Sequence, residues 1–432
     1  MRVVEALRRE LASAEFARAY TLTVVGVAFS ALAIENITSP VTLLTMLTLL
    51  SAIGAAVLVI RRAELSLLRL APTSLLFFLA VATASLVWSI GRGDTLRAVV
   101  ALLAYAFLAV TVGHLRDTLQ TVRAIGDVLR LLLVISLGLE ILSGILLDMP
   151  FPFLGIEGRL ALGGPIEGLF GTRNMLGFIA VIALVTFAVE WRTRSIPRGL
   201  AIASTVLAAG MAFFASSPVV YVLAAFVAVA AGFLALVRAT PAHRRARVQW
   251  SLGALVIVGV AVAFVLRAPL IALMGVGTDF ARRRELWRIT GAFVDVRPLQ
   301  GWGWFGEWAP EQFPFSTISA LMNEQQLSAL NAYLDVLLQL GIVGLVAFLA
   351  LGGIAMVRAW LVASTRRSVV YAWTPLILVA LALESMVESF ALVGAGWFLL
   401  VLCALRAGQS HSWRESIDAA HTGTIPTLSP RD

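Results

Sequence analysis

The sequence predicts an all-α, polytopic helical membrane protein of about 12 transmembrane helices with one large extracytoplasmic loop. Three observations carry this expectation. Hydrophobic residues make up 60% of the 432 residues and charged ones only 13%, with a mean hydropathy of +0.92. An ordinary soluble domain is about 45–50% apolar, so a soluble two-domain enzyme is excluded. Apolar runs long enough to cross a bilayer, about 17–25 residues each, recur from residue 21 to residue 406. Finally, the cations fall mostly in the short segments between those runs, as expected of loops that fix orientation.

The elements follow in order. Residues 1–19 place Val4, Leu7, Leu11 and Ala14 near one helical face among arginines and glutamates, which suits an amphipathic helix lying on the cytoplasmic interface. No small-residue cleavage site follows, so the next apolar run reads as an anchor and not a signal peptide. Residues 20–274 hold transmembrane helices 1–9, with spans expected at 20–36, 39–60, 70–90, 97–114, 130–149, 173–190, 199–215, 219–237 and 251–274. Residues 275–330 form the large extracytoplasmic loop. Helices 10–12 follow within 331–406, at 331–357, 370–386 and 388–406. The tail, 407–432, has no sustained periodicity and reads as a disordered cytoplasmic segment.

Orientation follows from the arginines. All 33 cationic side chains are arginine. With both termini cytoplasmic, 23 of them fall on the cytoplasmic side and ten outside, the bias expected of the positive-inside rule. That rule accounts for the basic balance of +8 without a nucleic-acid partner. The single cysteine, Cys403, lies in the last apolar run, which excludes an intramolecular disulfide. Four histidines without paired thiols give no structural zinc pattern, so no metal or cofactor is expected.

The ten outer arginines are the informative ones, because topology does not require them. Most lie in 150–173, with Arg159 and Arg173, and in 276–330, with Arg282, Arg283, Arg284, Arg288 and Arg297. The stretch ARRRELWRITGAFVDV can form an amphipathic helix on the outer surface, followed by the glycine-rich aromatic turn GWGWFGEW. Guanidinium groups grip phosphate bidentately, and indoles stack on apolar faces or anchor at headgroups. Arg283, Arg288 and Trp287 therefore suit an anionic lipid-linked sugar, or equally lipid headgroups and an aromatic belt. Among carboxylates, Glu140 lies deep in the fifth span, and Glu384 and Glu388 flank the outer turn of the last helix pair. Asp335 stands just inside the tenth span, behind the arginine-rich loop. It is placed either for acid–base work or as a helix N-terminal carboxylate stabilised by the dipole. The four histidines, His114, His243, His411 and His421, are all cytoplasmic in this topology, so none serves as an outer general base.

Four motifs, in this order, resemble the membrane family of O-antigen ligases and O-antigen or exopolysaccharide polymerases. They are LVWSIGRGDTLRAVV, GRLALGGPIEGLFGTRNMLGF with Asn174 and Gly177, RRRELWRITGAFVDVRPLQGWGWFGEW with Arg283 and Trp287, and LNAYLDVLLQLGIVGLVAFL with Asn331 and Tyr333. The likeness covers roughly residues 75–406. It implies an inverting, metal-independent glycosyltransferase of the bacterial cytoplasmic (inner) membrane. Such an enzyme moves a glycan from a polyprenyl-pyrophosphate donor to a glycan or lipid acceptor. It also implies that Arg283 holds the pyrophosphate, with Arg288, Arg159 or Arg173, Trp287, Asn331 and Tyr333 around the substrate. The chain departs from the pattern in two places. The family's histidine before the asparagine is Leu330 here, and its serine–arginine pair is Ser217–Pro218. Asp335 or Glu285 is accordingly expected to assist the acceptor hydroxyl. The alternatives are a homologue that binds lipid-linked glycan without transferring it, and a transporter or flippase of an anionic lipid-linked substrate.

Overall fold

The computed structural model describes residues 10–62, 70–265 and 277–409. Residues 1–9 of the expected interfacial helix at 1–19 and nearly all of the tail at 407–432 lie outside the described residues. Those described are helical, with no strand beyond an isolated bridge between Phe151 and Ile156. In chain order the helices are α1 (Ala14–Phe29), α2 (Ala31–Ile37), α3 (Pro40–Ile60), α4 (Thr73–Ala84), α5 (Arg92–Leu115) and α6 (Thr118–Ile141). They continue with α7 (Arg173–Thr193), α8 (Arg198–Phe214), α9 (Pro218–Ala239), α10 (Ala242–Val265), α11 (Gly277–Val296) and α12 (Phe315–Met322). The last are α13 (Ala332–Thr365), α14 (Trp373–Glu384) and α15 (Gly394–Gln409).

Helix starts follow local chemistry. Ser13, Ser39, Thr172 and Asn331 each accept a backbone N–H of the first turn through the side chain. Asp117 and Gln120 form a reciprocal capping box at α6, satisfying N–H groups that a helix start leaves without partners.

A helix begins or runs within each expected apolar segment, but about twelve full spans are not confirmed among the described residues. Six described helices are long and apolar enough to cross alone: Pro40–Ile60, Arg92–Leu115, Thr118–Leu147, Arg173–Thr193, Pro218–Ala239 and Ala332–Thr365. A seventh is counted if α1 and α2, bent by 67°, form one span. Thr73–Val87, Arg198–Phe214, Val369–Glu384 and Gly394–Gln409 are apolar but shorter. At about 1.5 Å per residue they fall short of a hydrocarbon core about 30 Å thick. The sequence windows included the irregular turns beside these helices, where apolar residues continue after the helix has stopped.

The core centres on α7, α13, α14 and α15. α15 is buried around its circumference from Ala395 to Ala407, whereas α3 and α9 expose Val41, Leu49, Val59, Tyr221 and Val229 on the outside of the bundle. α13 is broken at Gly341, whose φ of 66° and ψ of −167° are non-helical. Inside a membrane protein such a break must find new hydrogen-bond partners. Here the loop after α11 supplies them. Trp302 N–H donates to Leu338 O (3.1 Å), Gly303 N–H to Gln339 O (2.8 Å), and Ile342 N–H to Pro298 O (2.8 Å). Only glycines permit this crossing. A Cβ on Gly301 would lie 2.4 Å from the Gln339 carbonyl, and one on Gly341 would lie 2.3 Å from that of Leu299.

Candidate functional site

One end of the bundle collects the turn after α4, the 142–172 segment, the α8–α9 turn, the segment from α11 to Asn331, and the turn between α14 and α15. The aromatic turn is built into this end. Trp304 N–H donates to Ser85 Oγ (2.9 Å), and its ring meets Phe78 edge-on at 5.7 Å. Trp302 and Trp308 pack with Leu286, Ile289, Phe305 and Phe315 in a second apolar cluster. All three tryptophans are buried, so they are core residues and do not form an aromatic belt at the lipid surface.

α11 turns Leu286, Ile289 and Val294 into that cluster. This spacing leaves Arg282, Arg284, Glu285 and Arg288 exposed and swings Arg283, one turn before Leu286, inward. The Arg283 side chain is only 16% exposed. Its Nη2 donates to Glu388 Oε1 at 2.8 Å, and its Nη1 donates to Val387 O and, at 3.4 Å, to Leu330 O. Glu388 Oε1 also accepts from Asn174 Nδ2 at 2.7 Å, while Ser217 Oγ donates to Asn174 Oδ1 at 2.8 Å. Four separate elements are thus joined in one hydrogen-bonded chain centred on Glu388: α11, the α14–α15 turn, the start of α7 and, through Asn174, the α8–α9 turn. The Asn174 amide bridges a donor on one side and the carboxylate on the other.

The surroundings hold this cluster in place. Asn331 caps α13, accepting from Leu334 N–H (3.0 Å) and donating through Nδ2 to Met386 O (3.1 Å). Tyr333 Oη donates to Ala382 O at 2.9 Å, and Ala332 N–H donates to Ser385 O and Glu388 O. Trp287 Nε1 donates to Ala329 O at 2.8 Å. Leu330, between these anchors, has a φ of 49°, a left-handed conformation that costs a non-glycine residue about 1–3 kcal/mol. Below Glu388 lies Glu384, 2% exposed, with neither carboxylate oxygen hydrogen-bonded by a side chain.

The residues expected to carry chemistry fall into two groups. Arg283, Trp287, Asn331 and Tyr333 are brought together with the α14–α15 turn. Arg159 is exposed and paired with Glu157 at 2.6 Å in the 142–172 segment. Glu285 is exposed and pairs with Arg288 through two bonds of 2.9 and 2.5 Å. Those bonds hold its carboxyl below the usual range. Arg173 opens α7, one residue before Asn174. Asp335 is fully buried. Its oxygens accept from Trp308 Nε1 (2.5 Å), Ala329 N–H (3.0 Å) and Ser389 Oγ. One turn on, Gln339 accepts from Phe305 and Gly306 N–H and donates to Gly306 O. These two side chains fasten the loop to α13. Among the described residues no group of three or more His, Cys, Asp or Glu is placed to hold a metal ion.

Residues 219–349 match the family model described as O-antigen ligase. No curated protein matches the chain. The O-antigen ligase segment runs from α9 through α11 and the aromatic turn into the first half of α13, a narrower stretch than the resemblance suggested. It contains Arg283, Trp287, Asn331, Tyr333 and Asp335. Glu388, Asn174 and Ser217 come from outside it and complete the cluster around its inward arginine. Asn174 and Ser217 stood in the motifs as markers and Glu388 as a carboxylate beside a turn. Nothing in their spacing joined them, since the contacts span 43, 105 and 214 residues.

Proposed function

We propose that the chain is an outer-leaflet glycosyltransferase of the bacterial inner membrane. It polymerises or ligates surface polysaccharide from a polyprenyl-pyrophosphate-linked glycan, with both termini cytoplasmic. The O-antigen ligase segment supports the class, and the arginine split supports the orientation. The observation that carries the reading is the inward Arg283 paired with Glu388 at the end of the bundle. A guanidinium already held by two carbonyls and a carboxylate is oriented before substrate arrives, which favours charge stabilisation in the transition state.

In this reading Arg283 exchanges part of its pairing with Glu388 for an oxygen of the donor pyrophosphate. The acceptor hydroxyl oxygen forms a bond to the anomeric carbon from the opposite face. The bond from that carbon to the phosphate oxygen breaks, and its electron pair leaves with the polyprenyl pyrophosphate. The hydroxyl proton passes to Glu388, which is tied to the carbonyl of Leu330, where the family has histidine, through Arg283. General-base help of this kind is typically worth about 10²–10⁴-fold. Asp335 and Glu285, expected for this task from the sequence, take other roles here: the first positions the loop, and the second pairs with Arg288.

Leu330 in place of histidine also favours a second reading, in which the protein binds lipid-linked glycan without transferring it. Deleting the gene in its host and measuring surface-polysaccharide chain length separates the two, with the purified protein assayed for transfer. Loss of long chains together with transfer in vitro supports the enzyme. Unchanged polysaccharide and no transfer despite bound donor and acceptor support the binding protein.

A further inference from the structure

At the end of the bundle opposite Arg283, a cavity of about 90 Å³ opens between α1, the turn after α5 and the first turns of α6. Its wall includes Arg18, Arg116, Arg123, Gln120, Asp127 and Leu22. Topology asks for positive charge near this surface, but not for three guanidinium groups converging on one hollow. The nearby carboxylates offset them only in part. Asp127 is taken by Arg130 at 2.6 Å, and Asp117 accepts from Gln120 N–H at 2.8 Å as the cap of α6. Arg116 Nε is buried without a hydrogen-bond partner. Burial lowers its guanidinium from the ordinary value, with Asp117 opposing and the neighbouring Arg18 and Arg123 adding to the shift. The space equals the liquid volume of about three water molecules, room for a compact tetrahedral anion.

The next turns of α6 say how such an anion is delivered. Arg123 and Asp127 stand one turn apart on a single face. That face continues as Leu131, Val134 and Ile135, which are 59%, 57% and 39% exposed. An apolar stripe running from a cationic pocket toward the middle of the bundle fits an acyl chain below a charged headgroup, in the manner of basic pockets between transmembrane helices.

We propose that this pocket binds a phosphate group, presented by the headgroup of an anionic phospholipid. The site is separate from the Arg283 cluster and does not depend on the transferase reading. The test uses the full chain in neutral detergent, titrated with phosphatidylglycerol, phosphatidylcholine or inorganic phosphate, with bound lipid counted by native mass spectrometry. Phosphatidylglycerol binds saturably, phosphatidylcholine does not, and inorganic phosphate competes. Removing two basic side chains, each worth about 1 kcal/mol against an anionic lipid, makes Arg18→Gln/Arg123→Gln bind about 30-fold more weakly. Gln120→Glu preserves the capping box while adding a negative charge to the wall, so it folds and still weakens binding several-fold. Arg358→Gln, which removes an exposed charge from α13, leaves binding unchanged. A loss in Arg358→Gln equal to that in the double variant, or unchanged binding in Gln120→Glu, overturns the site. Saturable inorganic phosphate binding with no preference for phosphatidylglycerol overturns the lipid and keeps the phosphate.

Discussion

Replacing Asp335 by asparagine separates a positioning role from a chemical one. The carboxylate has no exposure and accepts three hydrogen bonds, from Trp308, Ala329 and Ser389. Each bond to a charged acceptor contributes about 1.5–3 kcal/mol, while burying the ion itself costs several kcal/mol. Asparagine has one acceptor oxygen and turns its amide toward a donor, so at least one bond becomes a donor–donor contact and the others lose charge assistance. We expect a loss of about 3 kcal/mol of stability. Denaturant unfolding of the purified protein, followed by tryptophan fluorescence, measures it, because Trp308 is itself one of the three donors. Glu285→Gln serves as the control. It is exposed, and surface substitutions away from special features stay within about 0.5 kcal/mol. Donor binding should fall in Asp335→Asn in proportion to the loosened loop. An Asp335→Asn protein as stable as the parent that has lost transfer 100-fold or more would refute the positioning argument and return Asp335 to the chemistry.

Gly341→Ala places a Cβ 2.3 Å from the Leu299 carbonyl at a φ of 66°, and should cost about 3 kcal/mol or more in the same unfolding assay. Glu167, pushed up to about 7 by burial and by Glu140 and Glu157, holds a proton in the folded state that the unfolded chain releases above about 4.5. Its contribution to stability therefore falls as pH rises between these values. Glu167→Gln should match the parent near pH 4 and exceed it in thermal midpoint at pH 8. A cysteine at Ser316 in a Cys403-free protein should react with an impermeant thiol reagent on intact spheroplasts, because the α11–α13 segment faces outward in the proposed orientation. Reaction only after permeabilisation reverses the topology.

Much of the helical layout was legible because membrane helices must carry long apolar runs and capping residues at their starts. The number of full spans was not. Hydropathy continues through the irregular turns at 85–91 and 385–393, and only backbone geometry shows where the helix ends. The inward turn of Arg283 follows from the spacing of Leu286 and Ile289, but sequence cannot say which way that face packs. The two roles open to Asp335 could not be separated in the sequence, because its burial depends on Trp308, 27 residues away. The arginines at 282–288 looked like one patch, yet a single turn of helix separates the inward one from those facing water. Glu388 was visible as a carboxylate beside a turn, but its role depends on contacts across 105 and 214 residues.

The central claim is that Arg283 and Glu388 act as one unit in glycan transfer. Its most direct measurement is a double-substitution cycle on transfer by reconstituted protein with a polyprenyl-pyrophosphate donor and its acceptor, comparing Arg283→Lys, Glu388→Gln and the pair. Lysine keeps the charge but loses the planar fork, and glutamine keeps an acceptor for Asn174 but loses the base. The account predicts that each single change lowers turnover by about 100-fold or more, and that the double change costs little beyond the worse single one. Parent-like turnover in Glu388→Gln, or fully multiplicative losses in the pair, would contradict it.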